Sequence, residues 1–273
     1  MYRKISGYRL AALLFCTGAS SAFAADDGVF SLGLGYNYSS GDYGTTTTTK
    51  ITSIPLTARY DTGPWTLKLT IPYLYISGGT GAIPGIGQVV NTNPTGRGRS
   101  TVAATTTTTT TASASGLGDV VAAVTYNAYN NSASGIGIDL TGKIKFGTAD
   151  KDKGLGTGEN DYAAQVDAYK SFGKFTLFGG IGYAALGSSQ FISLDNVFNI
   201  TAGGNYKLDD RSTVGMTFDA REKVSATAHP LREATAYWAY KINKSWKAQA
   251  YALKGFADGS PDWGVGASAA YAF

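Results

Sequence analysis

From about residue 28 to the C-terminus the chain repeats one pattern: strand-length segments of roughly ten residues in which apolar side chains alternate with small or polar ones. In the clearest segment Trp65, Leu67, Leu69, Ile71, Tyr73 and Tyr75 share one parity, and Thr66, Lys68, Thr70 and Pro72 the other. Ile136, Ile138, Leu140, Ile144 and Phe146 likewise oppose Asp139, Thr141, Lys143 and Lys145. A period of two is the geometry of a strand with two unlike faces. No stretch of the chain reaches 18 uninterrupted apolar residues, which excludes a spanning helix. If this chain crosses a membrane it does so as a closed barrel, because in lipid only helices and closed barrels pair all their backbone polar groups.

Alternation alone does not separate a soluble sandwich from a membrane barrel, whose apolar parity faces outward. The connections do. The pattern predicts strands near 28–38, 51–60, 65–75, 117–129, 135–147, 160–172, 174–187, 194–207, 211–222, 232–241, 245–255 and 263–273. Tight turns at Asp61 to Pro64, Asn130 to Ser134, Gly173, Leu208 to Asp210 and Ile242 to Lys244 alternate with mostly longer connections, the habit of outer-membrane barrels. Aromatics gather near the strand ends: Tyr60, Trp65, Phe172, Phe175, Tyr240, Trp246 and Phe273 at one, Tyr36, Tyr38, Tyr73, Tyr75, Phe146 and Trp263 at the other. Charged residues make up only 15% of the chain, against about 25% in soluble domains, while Gly (36) and Tyr (18) are abundant. The expectation is an all-β, transmembrane antiparallel up-and-down barrel of about 12 strands.

The N-terminus reads as an export signal. Arg3, Lys4 and Arg9 precede a short apolar run from Leu10 to Phe15, and Ala22-Phe23-Ala24 supplies a small-x-small cleavage site. Residues 1–24 are therefore expected to be removed, leaving residues 25–273 as the barrel. Loss of those three cations takes the formal charge from +4 to +1, too little basic excess for a nucleic-acid binder. The single cysteine, Cys16, lies within the signal, so the mature chain has neither a disulfide nor a thiol metal site.

Catalytic chemistry finds no constellation. The one histidine, His229, sits beside Pro230 in an expected loop, whereas general-base work needs a rigidly positioned partner. No phosphate-binding loop, dinucleotide fingerprint or paired metal-ligand spacing is present, so no catalytic residue, cofactor or metal is predicted. Gly-x-Gly pieces such as Gly33-Leu34-Gly35 and Gly85-Ile86-Gly87 carry little information in so Gly-rich a chain; in strands they relieve crowding.

The inward parity is more informative. It places Lys68, Asp139, Lys143, Gln165, Asp167, Thr217 and Asp219 near mid-strand, with Arg59, Lys145, Lys174, Arg221, Glu233, Lys241 and Lys247 nearer the rims. Charges in the wall must face water or each other, since Lys or Arg in lipid costs about 2–4 kcal/mol at the midplane. They either line a hydrated pore, with Lys68, Lys143, Asp167 and Asp219 as its constriction, or pair across the lumen and close it. Twelve strands at a tilt of roughly 40° give a backbone radius of about 12 Å, narrow enough for both. The long connection from Ile76 to Gly116, rich in Gly, Thr and Pro, reads either as a solvated external loop or as a loop folded into the mouth with Arg97 and Arg99 contributing positive charge.

Three stretches carry resemblances. The terminal Tyr271-Ala272-Phe273 resembles the signal by which outer-membrane proteins are recognised for insertion, with Ser268 where that signal usually has Gly. Ser115-Gly116-Leu117-Gly118-Asp119-Val120 and the run from Gly156-Thr157-Gly158 through Asp161-Tyr162 to Lys170-Ser171-Phe172-Gly173-Lys174, then Gly182-Tyr183, resemble the MetA-pathway of phenol degradation family, outer-membrane proteins often called transporters. The resemblance implies an outer-membrane location and uptake of small compounds, hydrophobic or aromatic ones among them. Together these resemblances imply as partners outer-membrane lipids, the barrel-assembly machinery through the terminal Phe273, and a small solute. A closed barrel acting through its external loops is the alternative, and an envelope enzyme the weakest reading.

Overall fold

The computed structural model describes residues 28–79, 81–90 and 111–273, together with the two-residue strands Tyr8–Arg9 and Ser20–Ser21 near the N-terminus. Most of the expected signal segment, and Arg97 and Arg99, lie outside the described residues.

The barrel strands are β1 (Val29–Gly41), β2 (Thr49–Thr62), β3 (Trp65–Gly79), β4 in two segments (Thr111–Leu117 and Val120–Asn131), β5 (Ile136–Phe146), β6 (Asp161–Phe172), β7 (Phe175–Ala185), β8 (Val197–Lys207), β9 (Ser212–Arg221), β10 (Leu231–Lys241), β11 (Trp246–Gly255) and β12 (Trp263–Ala272). Each pairs antiparallel with its chain neighbour, and β12 pairs with β1 from Trp263↔Ser40 to Ala272↔Ser31, so the sheet closes on itself. Closure leaves no unpaired edge. Both segments of β4 pair with β3, on either side of a break at Gly118-Asp119, where Gly118 N–H still donates to Pro72 O at 2.8 Å. Strand β3 runs four residues further than the alternation predicted, and β4 begins earlier, which shortens the long connection to residues 80–110. Small and polar residues there obscured the pattern.

The connections sort by end. At the turn end short chains join the strands, and three use the same chemistry: Asn131, Asp209 and Asn243 each accept two backbone N–H bonds through Oδ1, at 2.6–3.1 Å. Beside one of them the Lys207 ammonium, 2.8 Å away, holds the exposed Asp210 carboxyl below its ordinary value. At the loop end lie residues 42–48, 81–90, 147–160, 186–196, 222–230 and 256–262.

The two faces of the wall differ as their parity requires. Outward stand Leu34, Leu67, Leu69, Val166, Leu177, Ile181, Ile200 and Met216, all exposed, with aromatics toward both rims. Trp65 packs on Tyr126 at 4.6 Å, Tyr38 on Trp263 at 5.3 Å, and Trp246 on Tyr271 at 5.2 Å. The outward Lys170 lies near the turn end with its ammonium 5.1 Å from the Phe172 ring centre, its stem following the apolar surface. Inward, the buried set is polar: Ser53, Thr66, Thr141, Thr176, Thr201, Asn205, Thr235 and Gln249. Inward aromatics lie flat against the wall over glycines on the neighbouring strand. A Cβ at Gly137, Gly215 or Gly266 would overlap the ring of Tyr169, Tyr237 or Tyr251 respectively. These glycines allow close approach, which is how the wall accommodates large rings inside a narrow barrel.

Candidate functional site

The site is the lumen, and alternation is what aims its side chains. On β5 and β6, Asp139 and Asp167 are directly opposed. Asp139 is 1% exposed and accepts from Asn127 Nδ2 at 2.6 Å; Asp167 is 7% exposed and accepts from Gln165 Nε2 at 2.6 Å. Asn127 reaches Asp139 because the register between β4 and β5 slips at Ile138/Asp139, a bulge that takes up Ala128. The second oxygen of Asp167 is buried without a hydrogen-bond partner among the described residues. Lys143, four residues further along β5 from the turn end, lies within electrostatic reach of Asp167 and of Asp219 across the lumen. Asp219 accepts from Thr201 Oγ1 at 2.6 Å and is directly opposed by Glu233.

Two predicted residues border this network: Thr217 beside Asp219, and Lys68 within electrostatic reach of Lys143. Thr217 lines the wall on β9, buried two positions from Asp219. Lys68 is on β3, directly opposed by Arg59 on β2 rather than by a carboxylate. Arg59 itself is clasped by Asp61, with both of its bonds at 2.7 Å, and Asp61 also accepts from Thr66 Oγ1.

The mouth at the loop end is capped. Residues 81–90, the first part of the long connection, bring Ile83, Ile86 and Val89 against Ile192, Leu194 and Val197 from the 186–196 side and against Val224 and Ala228. From below, Arg221 donates to Gly85 O at 2.8 Å and Ile86 O at 2.7 Å. Gly85 (φ 75°) and Gly87 (φ 96°) hold the turn that presents those carbonyls, in a backbone region that favours glycine. The Gly-x-Gly piece at 85–87, uninformative in sequence, is thus the bend that Arg221 clasps. Tyr43 closes the same mouth from the β1–β2 connection, its hydroxyl 2.9 Å from Ser39 Oγ, and burial pushes its phenol up to about 12. Of the two alternatives for the long connection, its first part adopts the folded one.

Lys145, at the loop end of β5, gathers the segments on which the family resemblance rests. It pairs with Asp119 at 3.2 Å and Asp161 at 2.8 Å, and donates to Thr157 Oγ1 at 3.2 Å. Asp119 also accepts from Ala149 N–H, and Asp161 from Gly187 N–H. The 147–160 connection is thereby tied down beside the break in β4, with Leu155 packed among Leu74, Ile76 and Ala149. His229 lies partly exposed at the loop end, 3.7 Å from Asp258, with no nucleophile presented to it among these contacts.

A closed barrel, apolar outside and lined inside by charged and hydrogen-bonding groups, defines a transmembrane β-barrel of the porin-like fold. No family model matches the chain, and no curated protein does. Among solved structures it is similar to an outer membrane channel from Pseudomonas putida F1, with a TM-score of 0.65 at 13% identity over 92% of this chain and 97% of that one. The NanC porin matches with a TM-score of 0.54 at 11% identity over 88% and 98% of the two chains. The KdgM porin matches at 0.50 and 12% identity over 88% and 99%. At these identities the likeness is one of fold.

Proposed function

We propose that the protein is an outer-membrane channel for passive or facilitated diffusion of small solutes, exported by cleavage after Ala24 and inserted through the signal ending in Phe273. The carrying observation is the sorting of the wall: Lys68, Asp139, Lys143, Asp167 and Asp219 all face the lumen, while the outer surface is apolar and aromatic. In this orientation the loop end is external and the turn end periplasmic. The motif residues that converge on Lys145 support a place in the MetA-pathway family, and with it hydrophobic or aromatic compounds as candidate solutes. The residues suggest no catalytic or cofactor role.

The test is refolded protein of residues 25–273 in planar bilayers, with the mass of the protein recovered from envelopes checking the start at Ala25. Discrete conductance steps support a channel. A folded, heat-modifiable barrel that never conducts favours a second reading, a closed barrel acting through its external loops, for which the packed cap over the mouth is the specific observation.

A further inference from the structure

Like charges sit directly opposite one another at several lumen-facing positions. Arg59 opposes Lys68 on β2/β3, Lys241 opposes Lys247 on β10/β11, and Asp139 opposes Asp167 on β5/β6. Asp219 and Glu233 repeat the arrangement nearer the mouth. Directly opposed like charges destabilise a sheet, and a wall shaped for its own stability would alternate the signs.

The first three pairs share the turn-end half of the barrel. Lys68 and Asp139 are each the fourth residue of their strand from that end, Lys247 is the second, Lys241 ends β10, and Arg59 and Asp167 lie within six residues of their strand ends. The basic pairs flank β12 and β1, whereas the acidic pair on β5/β6 lies six strands from β11 and β12 and two from β3, with Lys143 further along β5 toward the mouth.

Between the basic pairs the wall is almost bare. Lys247 neighbours Ala270, Ala270 neighbours Gly33, and Ser31 neighbours Arg59, so only small side chains fill the arc between them. Lys247 is also within electrostatic reach of Arg59 and Asp61, which places the two basic pairs around one space. On the far side the second oxygen of Asp167 is buried and without a hydrogen-bond partner among the described residues, with Lys143 within electrostatic reach.

We propose that the periplasmic half of the lumen binds small zwitterions, seating the anionic group of the solute against the bare arc between the two basic pairs and turning its cationic group to Asp139 and Asp167. An anion alone meets only one side of this arrangement, and so does a cation. A solute with both charges satisfies the two walls together, and the sign sorting orients it. The inference rests on the channel reading, in that solute must reach the lumen.

Calorimetric titration of the purified, folded barrel in detergent with 6-aminohexanoate, hexanoate and hexylammonium tests it without needing conduction. The zwitterion is expected to bind roughly tenfold more tightly than either singly charged analogue, the ratio that one charge-assisted contact is worth. Lys68→Gln with Lys247→Gln should weaken 6-aminohexanoate and hexanoate and spare hexylammonium. Asp139→Asn with Asp167→Asn should weaken 6-aminohexanoate and hexylammonium and spare hexanoate. Heat-modifiable electrophoretic mobility reports whether each variant folds, and the lysine pair decides the matter by itself if the aspartate variant does not. Equal affinity for all three compounds, no binding of any, or indifference to the lysine substitutions overturns the proposal. Zwitterion binding without conductance leaves the site standing and removes the channel reading; conductance without zwitterion preference does the reverse.

Discussion

Replacing Arg221 with Met should open the mouth. The side chain is held at the mouth end of β9, and its two terminal nitrogens donate to Gly85 O and Ile86 O at 2.8 and 2.7 Å, from beneath the capping segment. Met keeps much of the apolar stem and removes both donors. Bonds from a charged donor contribute about 1.5–3 kcal/mol each when dry, and this pair is only partly buried, so about 1 kcal/mol each is the fitting discount. Losing both shifts the balance between capped and uncapped mouths by about 2 kcal/mol, roughly 30-fold in population. The apolar contacts of Ile83, Ile86 and Val89 remain, so the cap loosens without being abolished. Single-channel recording reads this directly, as a rise in open probability at unchanged single-step conductance. If the folded variant shows the open probability of the parent, residues 81–90 do not govern access to the lumen.

Two further perturbations probe the same end of the barrel. Lys145→Gln strands two carboxylates, Asp119 and Asp161, that are each 11% exposed, and should lower stability by about 3 kcal/mol, seen as a lower urea midpoint for loss of the heat-modifiable form; an unchanged midpoint would mean that the hub is incidental. Tyr43 carries a pH dependence. Its phenol is raised from 10.0 to about 12, mainly by burial, so its packing contributes fully below pH 10 and the contribution is lost as pH rises through about 12. Alkaline titration followed by phenolate absorbance should show one tyrosine ionising late, and Tyr43→Phe should delete that late step; a titration curve identical in the two proteins contradicts the assignment.

Period-two alternation carried most of the architecture. Strands such as Trp65–Gly79, Ile136–Phe146 and Trp263–Ala272 begin within a residue of the positions expected from sequence, because each residue's face in a strand is set by local geometry alone. The boundaries failed where the code went silent. Around Ser77-Gly78-Gly79 and Thr111-Ala112-Ser113 both parities are small or polar, so the extra turns of β3 and β4 left no trace in the pattern. The break in β4 at Gly118-Asp119 was equally invisible, since its one ladder contact, Gly118 N–H to Pro72 O, is made to a different strand.

What the sequence determined by itself was therefore the class of the wall and the parity of each side chain, with the apolar set exposed and Asp139, Gln165, Asp167 and Thr217 buried on the other face. What only the tertiary structure decided was who meets whom. Register sets Arg59 against Lys68 and Asp139 against Asp167, and register is a property of two strands and the bulges between them. Arg221 finds Gly85 and Ile86 across 136 and 135 positions of chain, and Lys145 draws Asp119 and Asp161 together from opposite sides of its own strand. Those meetings depend on closure of the barrel, which brings distant segments to one mouth and one lumen, and no local pattern of residues encodes them.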